Sequence, residues 1–135
     1  VPTKIFVDTL FVVALINQRD QYHQQASELA NYFSGHPLLV TDAVLLEIGN
    51  ALARNYKAEA TTIINDFLTS DEVHIVYLTP QLFDAGFALY QQYQDKAWGL
   101  VDCISFIVMR QNRVTAALTF DQHFAQAGFQ ALMRE

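Results

Sequence analysis

The chain has 135 residues, enough for one hydrophobic core and too few for two. With 52% apolar and 16% charged residues it is neither a disordered chain nor a coiled coil. Eight Lys and Arg against fourteen Asp and Glu give a net charge of -6, the wrong sign for a broad basic face that holds nucleic acid, so any bound polyanion requires a local reversal of sign.

A single cysteine, Cys103, excludes an internal disulfide framework and a cysteine-based zinc site, and makes a reducing cytoplasm the expected compartment. Ile5 to Ile16 is apolar enough to resemble a signal-peptide core behind Lys4. Asp8 interrupts it, and its length falls short of the ~20 residues that span a bilayer, so the expectation is a folded segment with no membrane role.

Lys4 to Val7 reads as a strand that passes through Asp8-Thr9 into a helix, Leu10 to Asn17. From Gln21 to Ser34, Tyr22, Ala26, Leu29, Ala30 and Phe33 recur at helical spacing, and Gly35 stops that helix. Pro37 to Val40 is a second strand. Thr41-Asp42 supplies an N-cap for a helix striped by Val44, Leu45, Ile48 and Leu52 that ends near Tyr56, and Ala58 to Thr69 is its antiparallel partner. Val73 to Tyr77 is a third strand, and Thr79-Pro80 opens a helix to Tyr93 with proline at its first position. After a loop at Gln94 to Gly99 come a helix over Leu100 to Gln111, a strand over Val114 to Leu118, a short helix over Asp121 to Ala127 and a possible edge strand over Phe129 to Leu132. Strands alternating with helices imply a mostly parallel sheet covered on both faces.

In such sheets ligands bind beyond the carboxyl ends of the strands, and acids stand there. Asp8 directly follows the first strand, Asp121 comes three residues after Leu118, Asp102 opens the helix that leads into that last strand, and Glu47 lies in the third helix. Capping accounts readily for an aspartate at a helix start, Asp42 above all. Asp8 is harder to explain that way, because apolar residues flank it on both sides and no Lys or Arg except Lys4 stands within four residues. Asp102 sits on a helix whose other positions, Val101, Cys103, Ile104, Phe106, Ile107, Val108 and Met109, are apolar all round. A helix of that kind is buried, so its carboxylate is buried or lines a cavity. At 100° per residue Glu47 projects about 40° from Ala51 and 60° from Val44, on the flank of the apolar stripe.

Carboxylates gathered at one pole repel one another, and a hard divalent cation is the simplest way to keep them ionised. Mg²⁺ or Mn²⁺ suits them better than zinc, since no histidine or thiolate cluster accompanies them. The chemistry such a site supports is phosphodiester hydrolysis. Two such ions would neutralise the four acids and leave -2 of the -6, which turns the pole into an anion acceptor.

Phe6-Val7-Asp8-Thr9, Val44 to Leu52 around Glu47, Leu100 to Phe106 around Asp102, and Leu118 to Phe124 around Asp121 together resemble the four acidic motifs of PIN-domain ribonucleases, particularly the small VapC-like toxins. The resemblance covers essentially the whole chain, in the family's order and spacing. It implies a single PIN-like domain over residues 1–135, a three-layer α/β/α sandwich, and a Mg²⁺- or Mn²⁺-dependent endoribonuclease that leaves a 5′ phosphate. It also implies an RNA substrate, frequent homodimers and an antitoxin protein. Carried over by position, Asp8, Glu47, Asp102 and Asp121 are the acidic quartet. Asp8 and Asp102 would be direct ligands, Glu47 and Asp121 would act through water or orient the nucleophile, and the Thr9 and Thr119 hydroxyls stand near. Leu10, Gly99 and Val101 occupy positions where members often carry polar side chains, so the alternative is a degenerate PIN-like module that binds RNA or protein without cutting.

His23, His36, His74 and His123 show no metal-ligand spacing and are assigned surface or structural roles, with His123 the one placed to reach substrate. Cys103 reads as a small core residue, and Arg110 and Arg113 as complements of a helix C-terminus. Arg19, Arg54, Lys57, Lys96 and Trp98 are candidates for RNA contact, with packing the first expectation for Trp98. The helix pair from Ala43 to Leu68, with Tyr56 and Phe67, is the expected surface for a second copy or an antitoxin.

Overall fold

The computed structural model describes residues 3–134. Strand β1 (Ile5–Val7) is buried at every position, which requires a sheet covered on both faces. It pairs in parallel with β2 (Leu38–Thr41) on one side and β4 (Ala116–Leu118) on the other. β3 (Val73–Val76) extends the sheet beyond β2, and β5 (Gln130–Ala131) extends it beyond β4. The strand order is β3-β2-β1-β4-β5, and every pairing is parallel.

Parallel neighbours need crossovers, and helices supply them. α1 (Thr9–Ile16) and α2 (His23–Tyr32) join β1 to β2, and α3 (Asp42–Leu52) and α4 (Lys57–Thr69) join β2 to β3. α5 (Pro80–Gln92) and α6 (Leu100–Gln111) return the chain to β4, and α7 (Gln122–Gln126) leads to β5. The chain first steps outward on one side of β1 and then resumes on the other. Right-handed crossovers therefore put α1–α4 on one face and α5–α7 on the opposite face. The packing follows this division, with α1 against α2 and α3, α3 against α4, and α6 against α5 and α7. The α/β/α sandwich expected from the sequence is the observed architecture.

Side chains of β1 alternate between the layers. Phe6 packs near Phe124 of α7 (ring centroids 6.1 Å), which meets Phe106 of α6 edge-on at 5.0 Å, while Val7 lines an apolar hollow with Phe11 of α1. Trp98 is only 6% exposed, wedged against Tyr93 and Phe106 with its indole N–H donating to Gln126 Oε1. That packing removes it as a platform for a base.

The sequence pattern misplaces a few element ends, each for a local reason. Thr41 is the N-cap of α3, its hydroxyl accepting from Val44 N, whereas Asp42 turns its carboxylate to Leu78 N at 2.9 Å. α3 ends at Leu52, short of Tyr56, because the chain turns there before α4. Val114 closes α6 and is not yet in β4. Its N–H donates to Met109 O while Arg113 N donates to Arg110 O, with Arg113 at φ 55, which is a Schellman motif carrying arginine where glycine is usual.

Candidate active site

The chain reverses its direction of travel through the sheet between β1 and β4, and the crevice beyond the carboxyl ends of those strands is where this topology places ligands. Asp8 emerges there from β1, with its N–H donating to Leu118 O at 3.3 Å, so the β1–β4 ladder carries one residue past the strand end. Thr119 emerges beside it from β4. Fully buried, it donates its hydroxyl to Asp8 Oδ2 at 2.8 Å and accepts from Asp121 N at 3.0 Å. Asp121 caps α7 by accepting His123 N at 2.9 Å.

Asp102 arrives from the same layer as α7, at the third position of α6. Its Oδ2 accepts Gly99 N at 3.0 Å, half of a capping box that glycine has no side chain to complete. Glu47 comes from α3 and accepts from Thr9 Oγ1 at 2.7 Å. Asp8, Thr9, Glu47, Asp102 and Asp121 line a single open cleft of about 510 Å³, together with Leu10, Asn50 and Ala51. Four chain segments far apart in sequence thus bring the whole expected quartet into one cleft.

The electrostatics of this cleft are strained in one direction. Burial pushes the Asp8 carboxyl up to about 7, helped by the nearby charges of Asp102 and Asp121 and opposed by the Thr119 hydroxyl and the Thr9 backbone. Burial raises Asp102 as well, against the hydrogen bonds from Gly99 and His123. Among the described residues no Lys or Arg pairs with any of the four acids. What accompanies them is His123, whose Nδ1 lies 3.1 Å from Asp102 Oδ2 and 3.4 Å from Asp121 Oδ1.

Asp102, Asp121 and His123 each offer a ligand atom within 4.8 Å of the others. A donor set of carboxylate oxygens with one imidazole could hold a divalent cation, whose charge would offset the burial and the mutual repulsion that lift Asp8 and Asp102. Sequence spacing does not mark His123 as a ligand, because it has no partner at metal-ligand separation along the chain. The available signal is its place two residues beyond a capping aspartate, where the first turn of α7 carries it back over that aspartate. The other histidines take structural partners, His23 on Ala14 O, His36 on Thr3 O and His74 on Lys4 Nζ. Lys96 pairs with its neighbour Asp95, and burial pushes the Cys103 thiol up, as befits a core residue.

Comparison with known proteins gives concordant results. The family model for the PIN domain matches residues 5–130. The 23S rRNA-specific endonuclease VapC20 of Mycobacterium tuberculosis, from two strains, is 32% identical over 126 residues, 93% of this chain and 95% of the relative. A crystal structure of M. tuberculosis VapC20, described as a sarcin-ricin loop cleaving toxin, superposes with a TM-score of 0.84 at 28% identity, covering 93% of this chain and 96% of that one.

Proposed function

The chain belongs to the PIN-domain family, and from that premise we propose that it is a VapC-like toxin, an endoribonuclease that hydrolyses RNA phosphodiester bonds with Mg²⁺ or Mn²⁺. The observation that carries this is the convergence of Asp8, Glu47, Asp102 and Asp121 on one cleft at the strand-order reversal, with Asp8 buried there and no Lys or Arg beside it among the described residues.

In this reading Asp8 and Asp102 hold the cation, with His123 and Asp121 within ligand reach of Asp102, and Glu47 and Asp121 act through water or orient the nucleophile. A bound divalent ion supplies a water of lowered pKa and charge stabilisation for the leaving oxygen. The protein's part is to fix the acids. Thr119 ties Asp8 to the Asp121 backbone, Thr9 holds one oxygen of Glu47, and Gly99 N with His123 holds one oxygen of Asp102. At Asp102 a backbone N–H does the work of a hydroxyl, so Gly99 costs the site little.

The partners in this proposal are RNA, an antitoxin and a second copy of the chain, and the compartment is the cytoplasm. Among the described residues no helix is long and apolar enough to cross a membrane. Leu46 (69% exposed), Leu68 (49%) and Tyr77 (57%) support a protein-binding surface beside the cleft, whereas Tyr56 and Phe67, expected on that surface, pack against the core. An antitoxin would present an Arg or Lys to the carboxylates, replacing the metal's charge and blocking the site together. A dimer mass by light scattering is expected for the isolated chain, and a monomer at tens of micromolar would remove the second copy.

Incubation of the purified protein with ribosomal RNA in Mn²⁺, with chelator as control, tests the activity. Discrete fragments bearing 5′ phosphates are expected only with metal. RNA binding without metal-dependent cleavage would make the chain a degenerate binding module instead.

A further inference from the structure

The cations of this acidic chain are unevenly placed. α1 and α3 lie side by side, tied by the Thr9–Glu47 hydrogen bond from the start of α1 to the middle of α3, and beyond their ends by Tyr56 Oη donating to Asn17 Oδ1 at 3.1 Å. From Thr9 to Asn17 the distance along the helix is about 12 Å. At that far end a second cleft opens, lined by Asn17, Arg19, Asn55 and Tyr56, with Arg54 and Lys57 flanking the last two in sequence. Ala51 of α3 lines the acidic cleft, and Asn55, four residues further along the chain in the turn after α3, lines this one.

Arg19, Arg54 and Lys57 are exposed, and among the described residues none of them forms a salt bridge. Asp20, the acid next to Arg19, is half-buried and occupied by Tyr22 N at 2.8 Å. Cations that follow helix C-termini complement the macrodipole. That effect does not account for Arg19 lining a cleft with the carboxamides of Asn17 and Asn55, nor for Lys57, which stands at the start of α4 and with Arg54 brackets Asn55 and Tyr56 in sequence. Guanidinium forks and amide N–H groups together are donors suited to phosphate oxygens.

Building on the ribonuclease reading above, we propose that Arg19, Arg54 and Lys57, with Asn17 and Asn55, form a phosphate-backbone subsite that holds an RNA strand whose scissile bond lies in the acidic cleft. The subsite supplies the local reversal of sign that a chain of net charge -6 needs in order to bind a polyanion.

The test is the salt dependence of binding to labelled single-stranded polyuridylate, measured in an Asp8→Asn background so that the RNA stays intact. Arg19→Ala/Arg54→Ala is expected to weaken binding and to flatten the slope of log K against log salt by about 0.7 for each phosphate no longer neutralised. Arg19→Lys/Arg54→Lys should restore the slope, and Arg110→Ala, whose guanidinium lies over the Phe129 ring, should keep it. An unchanged slope in the alanine pair overturns the subsite. Should that pair fail to fold, Arg54→Gln alone is read the same way. Mn²⁺-induced thermal stabilisation of Arg19→Ala/Arg54→Ala with Asp8 intact should match that of the unsubstituted protein. Failure of the ribonuclease reading shows separately, as absence of Mn²⁺-dependent cleavage by the unsubstituted protein.

Discussion

Thr119 organises two acids through one hydroxyl, donating to Asp8 and accepting from the Asp121 backbone. Thr119→Val keeps the shape and leaves a buried carboxyl and a backbone N–H without their partner, so stability should fall by about 1–3 kcal/mol and cleavage by roughly 10–100-fold. Thr119→Ser should recover most of both, as read by urea midpoints and cleavage rates. A valine variant with unaltered cleavage would make the hydroxyl dispensable.

Asp8 carries a second consequence. Its carboxyl titrates near 7 in the metal-free folded protein and near 4 when unfolded, so between those values the folded state binds a proton that the unfolded chain has released. Stability without metal should therefore fall as pH rises from about 4 to 7 and level off above, with the raised Asp102 acting in the same sense. Chelator-treated Asp8→Asn should show a flatter profile across that window, and an identical profile would detach the effect from Asp8. Asp8 and Asp102 are legible in the sequence because a lone carboxylate inside an apolar run must be compensated. His123 is legible only in part, since Asp121 stands two residues before it whereas Asp102 comes from α6 and only the fold brings it near.

At the scale of elements, two positions on the layer that carries Asp102 can be tested directly. A Cβ on Gly86 of α5 would lie 2.6 Å from Ile104 Cγ1 and 3.4 Å from the Ile104 backbone in α6. Gly86→Ala gains about 1 kcal/mol in helix propensity but forces α5 away from a buried, β-branched neighbour, and the clash should win, lowering the thermal midpoint. Arg113 is the opposite case. It holds φ 55 at the end of α6, so Arg113→Gly should stabilise by about 1 kcal/mol, and a loss of stability would mean that its side chain contributes more than its backbone costs. Most helices can be read from apolar periodicity, and α6 from a long run apolar all round, whereas Gly86 gives no sign of its role and Val114 resembles a strand residue. A close helix contact and a Schellman closure depend on geometry that residue types do not encode.

For the whole molecule, alternation of strands and helices is enough to give the layers and the parallel sheet, and the acids at strand ends give the pole that carries the site. The strand order does not follow from the alternation. It decides that β1 and β4 are neighbours, and so that Asp8 and Asp121, 113 residues apart, share a cleft. If that cleft holds a cation in the folded state only, Mn²⁺ or Mg²⁺ should raise the thermal midpoint where Na⁺ at equal ionic strength does not, and an Asp8→Asn/Asp102→Asn protein should lose the effect. Equal shifts with all three salts would leave the acids as helix caps.

The most direct measurement is the single-turnover rate of RNA cleavage in Mn²⁺ by the unsubstituted protein and by Asp102→Asn, both shown to be folded. Since loss of groups that merely support metal ligands costs 10–100-fold, loss of a ligand itself should reduce the rate by more than about 100-fold. Cleavage by Asp102→Asn at the unsubstituted rate would place the chemistry somewhere other than this cleft.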